Sequence, residues 1–171
     1  MRIGTDTLTT IRKLQRDDKE PIRQILQETD VFTSDEIIIA VELIDIFLDD
    51  PKQLDYDLYT SVNESNEVAG FVCVGPTPLT TGTFDLYWIA VKPSFHGQGI
   101  GKKLLRHAES VATTNNGRLL IAETSSQPKY EATRMFYIKN NYVEISRIKD
   151  YYKPDDDLVV YGKYLSQSGG Y

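Results

Sequence analysis

A strand that runs into a glycine-rich turn and then a helix is the feature that most constrains the fold of this chain. Residues 86–93 form an apolar, aromatic and β-branched run, which is typical of a buried strand. Three glycines follow, Gly97, Gly99 and Gly101, and residues 103–112 have the pattern of an amphipathic helix. Glycines let the backbone come close to a ligand, and the unpaired amides of a helix's first turn bind phosphate oxygens. This order of elements predicts a cradle for a pyrophosphate group.

The turn resembles the acyl-CoA-binding motif of the GNAT superfamily of N-acetyltransferases. That motif reads Arg or Gln, two residues, Gly, one residue, and then Gly or Ala. Gly99-Ile100-Gly101 matches its end, whereas His96 stands where the family has Arg or Gln. Main-chain amides make most of the phosphate contacts in the family, so the resemblance implies that His96 changes the site only slightly. The glycine spacing does not fit the dinucleotide-binding fingerprint.

The composition is that of one folded domain. The chain has 171 residues, of which 40% are hydrophobic and 11% aromatic, enough to form a core. Its net charge of −6 argues against nucleic acid or an anionic membrane as the main partner and fits a cationic amine. The single cysteine fits a reducing compartment. There is no pattern of a signal peptide or membrane span, so we expect a cytoplasmic protein.

The hydrophobic pattern predicts a strand, two helices, three strands, a helix, a strand, a helix and two strands. This order resembles the GNAT fold over about residues 10–165. The resemblance implies an α/β (α+β) fold, in which a central, mixed and twisted sheet of about seven strands is flanked by about four helices. We expect a single domain over residues 1–165 and a flexible tail over residues 166–171.

Local signals mark the starts of the first two helices. Asp17 and Asp18 are candidate caps for the first helix, and Thr33 or Ser34 is a candidate cap for the second. The second helix is apolar on all sides between residues 37 and 41. This pattern favours a wide contact with the core, and a substrate groove or a partner subunit is the alternative.

The resemblance also implies where acetyl-CoA, the co-substrate, binds. In the family it lies in a cleft between two splayed parallel strands, here the strand of Trp88 and the strand at residues 119–124. The backbone of Ile89, Ala90 and Val91 is assigned to the pantetheine arm, although core packing alone also explains these residues. The pyrophosphate is assigned to six residues of the turn, Gly97, Gln98, Gly99, Ile100, Gly101 and Lys102. Tyr130 occupies the region where the family often places an Asn that contacts CoA.

Acetyl transfer to an amine requires that the ammonium lose a proton, that the thioester oxygen be polarised and that the thiolate be protonated. Glu123 follows four apolar residues at the end of a strand, where partial burial would raise the pKa of its carboxyl. Its position resembles that of the strand-end glutamate proposed as the base in bacterial N-terminal alanine acetyltransferases. A structural ion pair, or a water chain acting as the base, is the alternative.

Tyr137 is the candidate acid. Residues 132–137, followed by Asn141-Tyr142, resemble the closing motif of the family, an alanine-rich helix with Phe-Tyr or Leu-Tyr before a Gly-Phe step. The phenol in that motif lies near the CoA sulfur and can protonate it. Asn141 replaces the usual Gly, and Asn tolerates the left-handed conformation of a helix end. Packing is the alternative role for Tyr137.

Other residues carry weaker signals. Cys73 lies in an apolar run and is predicted to be a buried hydrophobe and not a nucleophile. Tyr151-Tyr152 resembles the tyrosine pair with which N-terminal acetyltransferases hold a peptide backbone, although exposed tyrosines are ordinary in hairpins. The aspartates at 155–157 predict a solvated turn, because three adjacent carboxylates do not converge on a metal. His107 has no partner motif, and we assign it no role.

We therefore expect an enzyme, an acetyl-CoA-dependent N-acetyltransferase that uses no metal and transfers the acetyl group directly within a ternary complex. The acceptor is a primary amine of a small molecule or of a protein or peptide. The tyrosine pair favours a peptide, and the acidic balance favours a cationic acceptor. A homodimer fits the apolar second helix. The alternatives are a non-catalytic acyl-CoA sensor or scaffold, and a protein that binds a nucleotide through the glycine turn.

Overall fold

The computed structural model describes residues 8–165, and the chain divides into two compact units. Of the described residues, the first unit contains 8–74 and Trp88–Ala108. The second contains Gly75–Tyr87 and 109–165. The tail at residues 166–171, which the sequence predicts to be flexible, lies outside the described residues. The single domain over residues 1–165 stays a prediction.

Seven strands and four α-helices form the described part of the chain. No helix within residues 8–165 is long and apolar enough to cross a membrane. The elements are, in chain order, β1 (Thr9–Lys13), α1 (Lys19–Glu28), α2 (Ser34–Asp49), β2 (Asp57–Asn63), β3 (Val68–Pro76), β4 (Thr83–Val91), α3 (Ile100–Thr114), β5 (Leu119–Ser125), α4 (Glu131–Lys139), β6 (Val143–Lys153) and β7 (Asp156–Tyr164).

The strands form one mixed sheet in the order β1-β2-β3-β4-β5-β7-β6. β4 and β5 run parallel to each other. The other strand pairs described, β1–β2, β2–β3, β5–β7 and β7–β6, are antiparallel. Because parallel neighbours need a crossover, the chain passes through α3 between β4 and β5. The element order and the mixed sheet confirm the predicted α/β fold class.

The core of the first unit lies between its two leading helices and the strands β2 and β3. Apolar residues of α1 recur on one face, and β3 is buried along almost its whole length. The most buried members of this core include Ile22, Leu26, Ile44, Leu58 and Phe71, each at most 1% exposed. This core supports the sheet from which the glycine turn emerges.

The predicted cap of α2 is confirmed, whereas the predicted wide contact of its apolar region with the core is not. Thr33 caps the helix: its hydroxyl accepts the N–H of Glu36 at 3.3 Å, and the Glu36 carboxylate accepts the N–H of Thr33 at 2.7 Å. The expected wide core contact is wrong for Ile38 and Ile39, which are 55% and 53% exposed. Only one stripe of the helix faces the core, since a helix on the surface of a sheet buries only one side.

The predicted cap of α1 is also wrong. The Asp18 side chain makes no capping bond to α1. It is buried and forms a two-point ion pair with Arg12, with N–O distances of 2.6 and 2.9 Å, and it accepts the N–H of Gln15 at 2.8 Å. A buried carboxylate needs a charged partner, so the ion pair with β1 takes precedence over the helix cap.

Candidate active site

The end of β4 leads through a short 3₁₀ turn, Pro93–Phe95, into the glycine turn, and β3 lies close to the last residues of β4. Ala90 is buried, whereas Ile89 and Val91 are half-buried. A Cβ on Gly70 of β3 would lie only 2.6 Å from the Ala90 carbonyl oxygen, so the close approach of these strands requires glycine at position 70. The backbone role of residues 89–91 toward pantetheine stays a prediction.

The side chain of His96 hydrogen-bonds to the end of β4, the strand that precedes the turn. Its Nε2 lies 2.9 Å from the carbonyl oxygen of Val91. Because a carbonyl only accepts, this contact places the proton on Nε2. The N–H of His96 also donates to the Pro93 carbonyl at 3.1 Å. His96, at the family's Arg or Gln position, therefore contributes to the shape of the turn, which the sequence did not reveal.

Gly97 and Gly99 have the left-handed backbone conformation, with φ of +76° and +77°. An L-residue adopts this conformation at a cost of about 1–2 kcal/mol, whereas glycine adopts it freely. A Cβ built on either residue meets no atom within 4 Å. Backbone conformation and not crowding therefore requires glycine at both positions, and the space beside them is open to a ligand.

The first turn of α3 supplies hydrogen-bond donors to that space. The side chain of Ile100 is 1% exposed and anchors the helix. The N–H of Lys103 donates to the Gly99 carbonyl at 3.0 Å as the helix begins. The amides of residues 100–102 precede this bond, and the Lys102 side chain is exposed beside them. Amides and a positive helix end fit a pyrophosphate group, so the turn fits CoA.

The parallel ladder between β4 and β5 ends early within the second unit. β4 continues beyond the ladder to Tyr87 in this unit and β5 to Ser125, with no further pair between them among the described residues. Strands that stop pairing leave backbone donors and acceptors for another partner. The pairs are Thr83–Leu119, Phe84–Leu120 and Asp85–Ile121.

Glu123 lies on β5 two residues beyond the last pair and is exposed. None of the ion pairs found among residues 8–165 involves Glu123, so the alternative of a structural ion pair has no support. Partial desolvation and, second, the charge of Asp85 raise the pKa of the Glu123 carboxyl. The pKa therefore shifts in the direction that the sequence predicts, and the role of Glu123 as the base stays a prediction.

Asp85 is a site residue that sequence reasoning missed. It pairs with Ile121, so it shares a sheet face with Glu123 on the neighbouring strand. The hydroxyl of Thr77 donates to its carboxylate at 2.7 Å and orients it. The alternation of β4 gives the face on which Asp85 lies, but only the register with β5 places it beside Glu123.

Tyr137 is buried on α4, with 4% of its surface exposed. Its ring stacks on Tyr161 at 5.7 Å between centroids and packs at 5.7 Å against Tyr142. Burial raises the pKa of the Tyr137 phenol, so the group is neutral and carries a proton. Packing, the alternative role, is therefore present, and the role of Tyr137 as the acid stays a prediction.

Glu123 and Tyr137 belong to opposite faces of the β5–β7 strand pair. Tyr161, which stacks on Tyr137, is paired with Ala122. Glu123 is the next residue of β5, so its side chain points to the other face. The structure therefore does not bring the two side chains together on one face of this strand pair.

Tyr130 ends a short 3₁₀ turn, Pro128–Tyr130, immediately before α4. The ammonium of Lys129 lies 4.9 Å from its ring centroid. The guanidinium of Arg134 holds the preceding loop by donating to the carbonyls of Ser125 at 2.7 Å and Gln127 at 3.0 Å. The loop is therefore ordered, and the contact of Tyr130 with CoA stays a prediction.

The prediction of a solvated turn at residues 155–157 is confirmed for Asp155, which is exposed in the turn, and wrong for Asp156 and Asp157. Asp156 is 7% exposed, and the hydroxyl of Ser125 donates to its carboxylate at 2.5 Å. Asp157 accepts from Arg147 at 3.0 Å and from the N–H of Asp150 at 3.0 Å. These carboxylates tie the β6–β7 hairpin to the end of β5. No cluster that could hold a metal ion is found in the described part of the chain.

Tyr151 and Tyr152 are exposed near the end of β6. Their rings meet edge to face with centroids 5.0 Å apart. The backbone of Asp150 has a φ of +54°, and the β6–β7 register is irregular between Ile148 and Lys153. The irregularity displaces the tyrosine pair from a regular strand. Its role toward a peptide stays a prediction.

Cys73 is fully buried in β3 and has no disulfide partner. Desolvation raises the pKa of its thiol well above the usual value. A thiol with a raised pKa forms little thiolate, which is the nucleophilic form. The prediction of a buried hydrophobe is therefore confirmed.

Comparison with known proteins places the chain in a family. The acetyltransferase (GNAT) domain family matches residues 55–144. A solved structure from Desulfovibrio desulfuricans, of a protein assigned to the GNAT family of acetyltransferases, is 34% identical to this chain. It superposes with a TM-score of 0.89 over 93% of this chain and 100% of that protein. The chain belongs to the GNAT family of acetyltransferases.

More distant structures share the fold. The ribosomal-protein-S18-alanine N-acetyltransferase from Escherichia coli is 20% identical, with a TM-score of 0.73 over 95% of this chain and 97% of that one. An aminoglycoside 6′-N-acetyltransferase complexed with coenzyme A is 16% identical, with a TM-score of 0.73 over 94% of this chain and 99% of that one. No curated protein matches the chain in sequence. At these identities the likeness supports the fold and not a particular acceptor.

Proposed function

We propose that this GNAT protein is an acetyl-CoA-dependent N-acetyltransferase that transfers the acetyl group directly to a primary amine. The observation that carries the proposal is the turn with Gly97 and Gly99 in the left-handed conformation at the start of α3. In a member of the GNAT family, this turn is suited to the pyrophosphate of CoA, because it offers amides, a lysine and open space. Residues 89–91 would hold the pantetheine arm through their backbone.

Glu123 is proposed to accept the proton that the ammonium form of the acceptor must lose. Its raised pKa makes the carboxylate a better base than an unperturbed glutamate. The amine nitrogen then attacks the thioester carbonyl carbon, and a tetrahedral intermediate forms, whose positively charged nitrogen releases its extra proton to solvent. When the carbon–sulfur bond breaks, the sulfur keeps the electron pair and takes a proton from the Tyr137 hydroxyl. The products are an amide and free CoA, and solvent restores both protonation states.

Direct transfer is favoured over an acyl-enzyme. The chain has one cysteine, and Cys73 is buried with a raised pKa, so it is a poor nucleophile. A direct transfer within a ternary complex needs no such nucleophile, because the acceptor amine itself attacks the thioester.

The acceptor is proposed to be a primary amine of a small molecule or of a peptide. The exposed Tyr151-Tyr152 pair favours a peptide backbone, since tyrosine offers both an apolar ring and a hydroxyl. Asp85 and Glu123 share one sheet face and give it a negative charge, which favours a cationic acceptor. We propose the cytoplasm as the compartment, in line with the single, buried cysteine.

The test is acetyl-CoA-dependent release of free thiol over a panel of small amines, lysine peptides and peptides with free N-termini. CoA binding is measured in parallel by calorimetry. We expect thiol release that depends on one class of acceptor. Binding of CoA with no release for any acceptor would instead support the non-catalytic sensor. Binding of ATP or NAD that free CoA does not displace would contradict the proposed use of the turn.

A further inference from the structure

The end of α4 places a second tyrosine against the candidate acid. Asn141 has a φ of +66°, and the chain turns so that the N–H of Tyr142 donates to the Tyr137 carbonyl at 3.1 Å. The ring of Tyr142 then packs on the ring of Tyr137 at 5.7 Å, with an angle of 52° between the planes. Tyr142 therefore contacts both the backbone and the ring of Tyr137.

Tyr142 is held in place by a polar cluster. Its hydroxyl donates to Oε1 of Glu109, on α3, at 3.1 Å. The ammonium of Lys163, on β7, donates to the same oxygen at 2.9 Å and to the Asn140 carbonyl at 3.3 Å. It also lies 5.5 Å from the centroid of the Tyr142 ring. The Glu109 carboxylate thus joins Tyr142 to Lys163, and Lys163 also contacts the residue that ends α4.

The residues of this cluster are largely buried, so the loss of one of their hydrogen bonds is costly. Tyr142 is 2% exposed, and the side chains of Glu109 and Lys163 are 17% and 27% exposed. A charged acceptor in such a place forms a stronger hydrogen bond than a neutral one, and a buried hydroxyl without a partner is costly. Packing alone would need only a ring, which phenylalanine supplies. The hydrogen bond from the Tyr142 hydroxyl to Glu109 therefore fixes the orientation of the Tyr142 ring, which packing alone would not fix.

We propose that Glu109, through Tyr142, is a positioning residue that sets the orientation of the Tyr137 phenol for proton transfer to sulfur. This inference rests on the proposed role of Tyr137 as the acid. Glu109 itself does not touch the reacting atoms. It holds the Tyr142 ring, and that ring together with Tyr161 limits the movement of Tyr137. Catalysis is sensitive to such limits, because a misplacement on the order of 1 Å can cost about 100-fold in rate.

The experiment compares Tyr142→Phe, Glu109→Leu and Glu109→Gln in steady-state kinetics. The acceptor is the amine that gives thiol release in the panel described under the proposed function. We expect Tyr142→Phe and Glu109→Leu to lower kcat about 10-fold, with the KM for acetyl-CoA unchanged. Glu109→Gln keeps an oxygen that accepts from Tyr142, so most of kcat should be retained. Tyr164→Phe, at a tyrosine 71% exposed, is the matched control and should leave kcat unchanged.

Each substitution at 142 and 109 is repeated in a Tyr137→Phe background. If Tyr142 acts through Tyr137, the loss caused by Tyr142→Phe disappears there. An equal loss in both backgrounds would overturn the proposal, and so would a folded Tyr142→Phe variant with unchanged kcat. Should Tyr142→Phe fail to fold, the comparison of Glu109→Leu with Glu109→Gln, each with and without Tyr137→Phe, gives the same test.

If Tyr137→Phe alone retains full kcat, the assigned acid is wrong and the inference falls with it. If it loses kcat but Tyr142→Phe does not, only the positioning is wrong.

Discussion

The glycine turn and the pair Glu123–Tyr137 obtain their chemistry from different parts of the polypeptide. The turn uses backbone: left-handed glycines, the amides of the first turn of α3 and open space beside them. The pair uses side chains, whose properties come from desolvation and from neighbours on other elements. Glu123 depends on Asp85 of β4, and Tyr137 lies between Tyr142 and Tyr161.

This difference means that binding and turnover should respond to different substitutions. A Cβ added to Gly97 or Gly99 should change the backbone conformation that we propose for binding CoA. At Glu123 and Tyr137 the side-chain function is what matters, and the backbone is ordinary strand and helix.

The largest effect is expected for Glu123→Gln. The amide cannot accept the ammonium proton, so kcat/KM for the amine should fall about 100-fold or more. Affinity for CoA should be unchanged, because the turn is untouched. Glu64→Gln, in an exposed turn, is the matched control and should retain full activity. Retention of activity by Glu123→Gln would favour a water chain as the base.

The next effect concerns the backbone of the turn. Gly97→Ala or Gly99→Ala strains a left-handed residue and favours other conformations of the turn, so affinity for CoA should fall about 10-fold for each. Calorimetric titration with CoA measures this change. Gly82 has the same φ of +76° in another loop, and a Cβ there would meet the Asn116 carbonyl oxygen at 2.8 Å. Gly82→Ala should therefore lower the melting temperature but leave CoA affinity unchanged. An equal loss of affinity in all three variants would contradict a specific role of the turn at Gly97 and Gly99 in binding CoA.

A smaller effect is expected for Asp85→Asn. Its negative charge raises the pKa of Glu123, so removing that charge lowers this pKa. The carboxylate form then persists to lower pH, and the acidic limb of the kcat/KM profile should move to lower pH. Asp35→Asn, in the exposed first turn of α2, should not move the limb. A limb that stays in place or moves to higher pH in Asp85→Asn would show that Glu123 does not control it.

The smallest effect is on the stability of the helix that carries the turn. His107, on α3, packs edge to face on Tyr59 at 4.3 Å, and burial lowers the pKa of its imidazole from 6.5. Below that pH the unfolded chain binds the proton more readily than the folded chain, so stability should fall as the pH drops through this range. His107→Leu should reduce the loss of melting temperature between neutral and acidic pH. If His107→Leu loses as much melting temperature between neutral and acidic pH as the unsubstituted protein does, titratable groups other than His107 cause the loss.

The features predicted well from the sequence are those whose determinants are contiguous. The turn is specified by residues that follow one another, and the left-handed Asn141 and the Thr33 cap are likewise local. Physical reasons for such features lie within a few residues, so a sequence pattern can show them.

The features missed depend on register and packing between distant segments. Asp85 reaches Glu123 only because β4 pairs with β5 in one register, and Asp156 is buried because Ser125 meets it from β5. The exposure of Ile38 depends on what covers α2, which its own apolar pattern does not determine. A local pattern gives the face of a residue, and only the assembled sheet gives its neighbours.

The most direct test of the central claim is a paired measurement on the double variant Glu123→Gln, Tyr137→Phe. Its CoA affinity is measured by calorimetry and its turnover by thiol release with the identified acceptor. We expect CoA affinity equal to that of the unsubstituted protein, with turnover reduced about 100-fold or more. Turnover at the original rate, or a loss of CoA affinity in a folded variant, would contradict the separation of a backbone cradle from a side-chain acid and base.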